Sequence, residues 1–108
     1  MLQYHMGYFI ELNTLLRLPK ESIQPNELIV GKKFTVIKDK ERIFPLHIAL
    51  LLVTDDWTFV GYCVTHTTLV ANKQTTLTFE VISLFTPEER NTYTKRFLEA
   101  AKITGEIK

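Results

Sequence analysis

Five cations crowd one short stretch of this chain: Lys32, Lys33, Lys38, Lys40 and Arg42. Only Asp39 and Glu41 oppose them, so the local charge is +3 over eleven residues, five minus two. Flexible ammonium groups beside a glycine turn at Gly31 suit phosphate oxygens, the contact that supplies sequence-independent affinity for nucleic acid. The same stretch also reads as a solvated hairpin whose lysines deter edge pairing. A second set of groups is aromatic: Phe44, Trp57, Phe59 and Tyr62. On a barrel surface such rings stack bases, but a small barrel needs large side chains inside, and core is the preferred reading. His5, His47 and His66 are isolated; His47 sits in the most apolar stretch and is expected to be buried, and His66 lies among threonines. Cys63, the single cysteine, has no sequence neighbour that would lower its pKa and reads as core. No zinc spacing, phosphate-binding glycine loop, paired-carboxylate motif or nucleophile elbow is present, so no metal and no cofactor is expected.

The elements that must hold these groups are mostly strands. Tyr8–Leu18 alternates, with Tyr8, Ile10, Leu12, Leu16 and Leu18 on one face and Glu11, Asn13 and Arg17 on the other, until Pro19 ends it. Lys20–Glu27 reads as a loop and Leu28–Val30 as a short strand or a turn. Lys33–Lys38 is a strand and Asp39–Glu41 a charged turn. Arg42–Thr54 carries leucines on both parities, which predicts a strand covered on both faces. Thr54-Asp55-Asp56 is a tight turn into the strand Trp57–Leu69, where Gly61 marks a bulge or a close backbone approach. Asn72-Lys73 turns the chain into Gln74–Phe85, which aligns Leu77, Phe79, Val81 and Phe85. The period then changes. Thr86-Pro87-Glu88-Glu89 is a capping box with proline at the first helical position. Tyr93, Phe97, Ala100 and Ala101 form a helical stripe, and Gly105 supplies the stop.

Strands in succession with short links pair antiparallel. The expected fold is therefore mainly β, a β-rich α+β class: a small, partly closed antiparallel β-barrel of five to six strands. One C-terminal α-helix, about 86–104, packs over an opening or a face. The runner-up is an open antiparallel sheet with the helix across it.

Three stretches resemble the ASCH and wider PUA-like group of small β-barrels: Gly31-Lys32-Lys33-Phe34-Thr35-Val36-Ile37-Lys38, Trp57-Thr58-Phe59-Val60-Gly61-Tyr62-Cys63-Val64 and Thr78-Phe79-Glu80-Val81-Ile82. The likeness spans roughly 28–86, and the chain departs from it in beginning with a strand where a helix is expected. Some ASCH-like proteins resemble amidohydrolases that use a lysine, a threonine and a glutamate. The resemblance would place those roles on Lys32 or Lys33, Thr35 and Glu80, with Lys33 and Thr35 on one strand face and Lys32 on the other. An exposed carboxylate and a threonine favoured by strand propensity account for the same residues.

The chain has 108 residues with a net charge of +1. That length is one domain's worth, so a single domain over 1–108 is expected. The near-neutral balance excludes a strongly basic nucleic-acid binder and an acidic tail protein. With no basic-then-apolar leader and no apolar run long enough to span a bilayer, a cytoplasmic protein with no membrane partner is expected. The function these observations favour is a non-enzymatic binding module for RNA or a nucleotide. Its ligand would be met by Lys32, Lys33, Thr35, Lys38, Lys40, Arg42 and Glu80 on a basic hairpin. A protein–protein interaction or homodimerisation domain is the alternative, and a small amidohydrolase acting on a modified nucleoside the third.

Overall fold

The computed structural model describes residues 11–20 and 22–105, so His5 and the Tyr8–Ile10 part of the expected first strand lie outside the described residues. The elements are β1 (Glu11–Leu12), β2 (Leu15–Arg17), β3 (Lys33–Asp39), β4 (Arg42–Ile43), β5 (Ala49–Val53), β6 (Phe59–Ala71), β7 (Gln74–Leu84) and α1 (Pro87–Thr104), with a single 3₁₀ turn at Pro25–Glu27. Five strands form one sheet in the order β2-β5-β6-β7-β3, and β1 and β4 form a separate pair. The large sheet curls until its two edges approach. Lys38 Nζ on β3 donates to the Arg17 carbonyl on β2 across 2.5 Å. The result is the expected β-rich class, a five-stranded half-barrel with one C-terminal helix.

Both faces of the sheet are covered where β5 and β6 run together, which is why the leucines of β5 occupy both parities. Leu50 and Leu52 join Leu16, Val36, Val60, Cys63, Leu77, Phe79 and Val81 inside the half-barrel. Leu51 and Val53 point the other way, into a second core with Phe59, Tyr62, Phe85, Trp57 and Phe97. This outer core is an aromatic seam that docks α1. Phe97 lies 4.8 Å from Phe59, and Tyr93 stacks on Phe85 at 4.5 Å, in the range where ring pairs add to simple burial. The helix begins as expected: Thr86 Oγ1 accepts from Glu89 N–H, and Glu89 Oε1 accepts from Thr86 N–H. Gly105 closes it at φ 82°. Of the expected stripe, Ala101 is buried, Phe97 is half-buried, and Tyr93 and Ala100 are exposed.

Three expectations are corrected. Not every strand pair is antiparallel, because β2 runs parallel to β5 and β1 parallel to β4. The chain leaves β2, crosses to the far edge as β3, and returns to β5 only after residues 18–48, long enough for a parallel crossover. The stretch Arg42–Thr54 is not one strand. Pro45 has no N–H for a ladder, and His47 takes φ 62°, so β4 and β5 are separated and His47 is exposed, not buried. The basic segment is not a hairpin, because β3 pairs with β7 whereas β4 pairs with β1. Of the two forms expected for Leu28–Val30, short strand or turn, the chain takes the turn: Lys32 N–H donates to the Ile29 carbonyl at 3.0 Å.

Gly61 marks a close approach beside a register shift between Tyr62 and Cys63. A Cβ here would fall on the Ser83 carbonyl and lie 3.0 Å from Leu84 Cα. Gly61→Ala is therefore expected to lower the urea midpoint, by at least the ~1–3 kcal/mol typical of overpacking. Thr65 presents the opposite case. Its side chain is fully buried and its hydroxyl has no partner among the described residues. Thr65→Val keeps the shape and removes the orphan hydroxyl, so the same urea titration should show a gain of about 1 kcal/mol.

Candidate ligand-binding cleft at the seam

The cleft forms where the edges of the half-barrel approach. It has a volume of about 250 Å³, and Arg17, Lys38 and Arg42 line it together with Phe44 and Trp57. Asn13 and Leu15 line it as well, so among the described residues three cations face it. Each cation is held by backbone. Lys38 lies on the same strand face as Phe34 and Val36, which carries its ammonium over the end of the inner core to the Arg17 carbonyl. Arg42 Nε donates to the Asp39 carbonyl at 2.7 Å, and its Nη2 meets the Asp39 carboxylate at 3.0 Å. The Arg42 guanidinium beside Asp39 holds that carboxyl below the usual range. Arg17 donates through Nε and Nη2 to the Asp55 carbonyl. Its guanidinium carbon lies 4.5 Å from the Trp57 ring centroid, and Trp57 in turn stacks on Phe97 at 5.1 Å.

Local sequence explains how these groups are presented. In the turn after β5, the Thr54 hydroxyl donates to the Asp56 carboxylate and accepts from Thr58 N–H, and Trp57 N–H donates to the Thr54 carbonyl. This network fixes Trp57 at φ 68° and drops the Asp56 carboxyl below its ordinary value, chiefly through the Thr54 hydroxyl. The corner between β3 and β4 hangs on Thr75. Its hydroxyl is fully buried, donates to the Lys40 carbonyl and accepts from Arg42 N–H, both at 2.9 Å.

The residues singled out in the sequence divide into three places. Lys38 and Arg42 reach the cleft. Lys40 is exposed at the corner, and Lys32 sits over the Phe34 ring at 5.0 Å, on the face opposite Lys33. Lys33, Thr35 and Glu80 come together on the outer face of the sheet, where Lys33 stands opposite Glu80 and Thr35 opposite Thr78. There the Thr35 hydroxyl shares a hydrogen bond with Thr78 Oγ1 at 2.9 Å, and Glu80 Oε1 lies 2.9 Å from His66 Nε2. Thr35 thus meets another hydroxyl and not a base. Of the aromatic set, Phe44 and Trp57 line the cleft, whereas Phe59 and Tyr62 belong to the core under α1. Arg17 was not foreseen. Its role follows from the parallel pairing of β2 with β5, for which a period-two pattern carries no signal. Among the described residues no group of three or more His, Cys, Asp or Glu side chains is placed to hold a metal ion, and no helix is long and apolar enough to cross a membrane.

Cys63 lies in the inner core, fully buried, and burial pushes its thiol up to about 12. A raised value means that the folded state keeps its proton where the unfolded chain loses it. This contribution to stability is complete below pH 9.0 and is lost as the pH climbs toward the folded value. In native protein the thiol should resist alkylation at pH 8 and react only at the rate of unfolding, which thiol-trapping kinetics followed by mass spectrometry will read.

The curled sheet has a counterpart among solved structures. The chain is similar to the crystal structure of protein YtmB from Bacillus subtilis, with a TM-score of 0.59 and 23% identity, over 74% of this chain and 95% of that one. No family model and no curated protein sequence matches the chain. At this identity the likeness is one of fold: a small β-barrel-like domain.

Proposed function

We propose that the chain is a non-enzymatic binding module that takes RNA or a nucleotide at the seam cleft. The observation that carries this reading is the convergence of Arg17, Lys38 and Arg42 on one concave site beside Phe44 and Trp57. A guanidinium backed by an indole is a planar cation, and nucleic-acid binders stack unpaired bases on such planes. The Asp55 carbonyl takes donors from Nε and Nη2, which leaves the Nη1 edge of Arg17 to meet an anion. The volume, about 250 Å³, suits one nucleotide unit and lies near the small end of ligand sites. The resemblance of Gly31–Lys38, Trp57–Val64 and Thr78–Ile82 to ASCH and PUA-like domains supports the same reading. Lys33 and Lys38 are five positions apart on β3, about 17 Å at strand rise, and on opposite faces, so only a longer strand of RNA that passes round the β3 edge meets both.

Trp57 is the single tryptophan and lines the cleft, so intrinsic fluorescence reports binding directly. Titration with single-stranded RNA at several salt concentrations should give a slope of log K against log salt of about −2, for three cations at ~0.7 each. Arg42→Met and Lys38→Met, with the fold checked by circular dichroism, should each flatten that slope by about 0.7. Lys33→Ala should weaken RNA but not a nucleoside monophosphate. Absence of binding at low salt, or a slope indifferent to both methionine variants, overturns the proposal.

A further inference from the structure

Away from the seam cleft, the far end of β6 extends beyond β5. Its pairing with β5 ends at Val64, and Leu46 bridges to Thr65 just beyond. From Thr67 to Ala71 the strand pairs, among the described residues, with β7 alone, and all five residues are exposed. The turn that follows has two residues, Asn72 and Lys73, at φ 54° and 62°. In such a hairpin Ala71 and Gln74 form the hydrogen-bonded closing pair, and bonded and non-bonded pairs alternate from there. The N–H and C=O groups of Thr68 and Val70 therefore point away from β7, along an open edge.

We propose that this edge pairs with the same edge of a second copy of the chain, antiparallel and centred on Leu69. In that register Thr68 faces Val70 of the second copy, each pair exchanges two hydrogen bonds, and Leu69 faces Leu69 across a two-fold axis. The edge is self-complementary in length. The exposed run has five residues, 67–71, between the turn at one end and His66 and the Leu46 bridge at the other, so a pairing centred on Leu69 uses the whole run of each copy. It is also neutral throughout, whereas edge strands that stay unpaired usually carry charge or proline. The other long edge, β3, bears Lys33, Lys38 and Asp39, so head-to-tail pairing of β6 on β3 would set charge against a neutral strand. Leu69 is 66% exposed and Val70 45%, on opposite faces of the strand, and the symmetric pairing sets Leu69 beside Leu69 on one face and Val70 beside Thr68 on the other.

Sedimentation equilibrium from micromolar to millimolar protein tests this. The expected result is a monomer–dimer equilibrium. Leu69→Lys sets two ammonium groups opposite each other, and Val70→Pro removes an edge N–H without touching the β6–β7 ladder. Each should raise the dissociation constant by about tenfold or more. Ile37→Lys on β3 should leave it unchanged. Amide hydrogen exchange on the unaltered protein is a second reading: Thr68 and Val70 should gain protection as concentration rises. A monomer at every concentration overturns the proposal. So does a dimer that survives both folded β6 variants, or one without concentration-dependent protection of these two amides. None of these outcomes bears on the seam cleft, which lies on other strands.

Discussion

Phe59 and Val60 are neighbours in the chain and both are buried, which a strand permits only when each of its faces has a cover. That demand on the first half of β6 organises the rest. The inner cover is the curl of the sheet, which wraps Leu16, Val36, Leu77 and Phe79 around Val60 and Cys63. The outer cover is α1, held by Phe97 and by the stack of Tyr93 on Phe85. Gly61 allows the backbone of β7 to close in between them. Past Thr65 neither cover extends, and the strand continues as an exposed two-stranded arm.

Curling has a second effect at the seam. The edges β2 and β3 come near but are not neighbours in the sheet, so their facing backbone groups need other partners. Side-chain cations supply them. Lys38 serves the Arg17 carbonyl, Arg17 serves the Asp55 carbonyl, and Arg42 serves the Asp39 carbonyl. The first of these bonds ties the two edges together, and the other two fix Arg17 and Arg42 on the turn and the corner beside them. The same groups that complete the fold give the cleft its electrostatic character.

How much of this was legible in the sequence depended on the range of the signal. The capping box at Thr86–Glu89, the Asn72-Lys73 turn and the inward set Leu77, Phe79 and Val81 are local, and each was readable from residue types a few positions apart. The leucines of β5 announced double burial, and Gly61 announced a close approach. What escaped was non-local. No periodicity tells a strand that its partner is parallel and arrives only after residues 18–48, so Arg17 could not be placed beside Trp57. His47 looked buried because its neighbours are apolar, yet Pro45 and the positive φ at His47 break the strand and turn Leu46 and Ile48 outward with it. In the candidate site the cations Lys38 and Arg42 were visible as a charge cluster. Which of the five would converge was decided by strand parity at β3 and by Thr75, whose buried hydroxyl pins the corner.

Trp57 stands between Arg17 of the seam and Phe97 of α1. The turn from Thr54 to Thr58 fixes its backbone, so the indole cannot swing away from one neighbour without loosening its hold on the other. A ring held on both sides is a route for coupling, and any coupling through it is reciprocal: what a ligand in the cleft adds to helix docking, helix docking adds to the ligand's affinity. The cleft and the seat of the helix therefore meet in one aromatic ring, which lines the first and packs into the second.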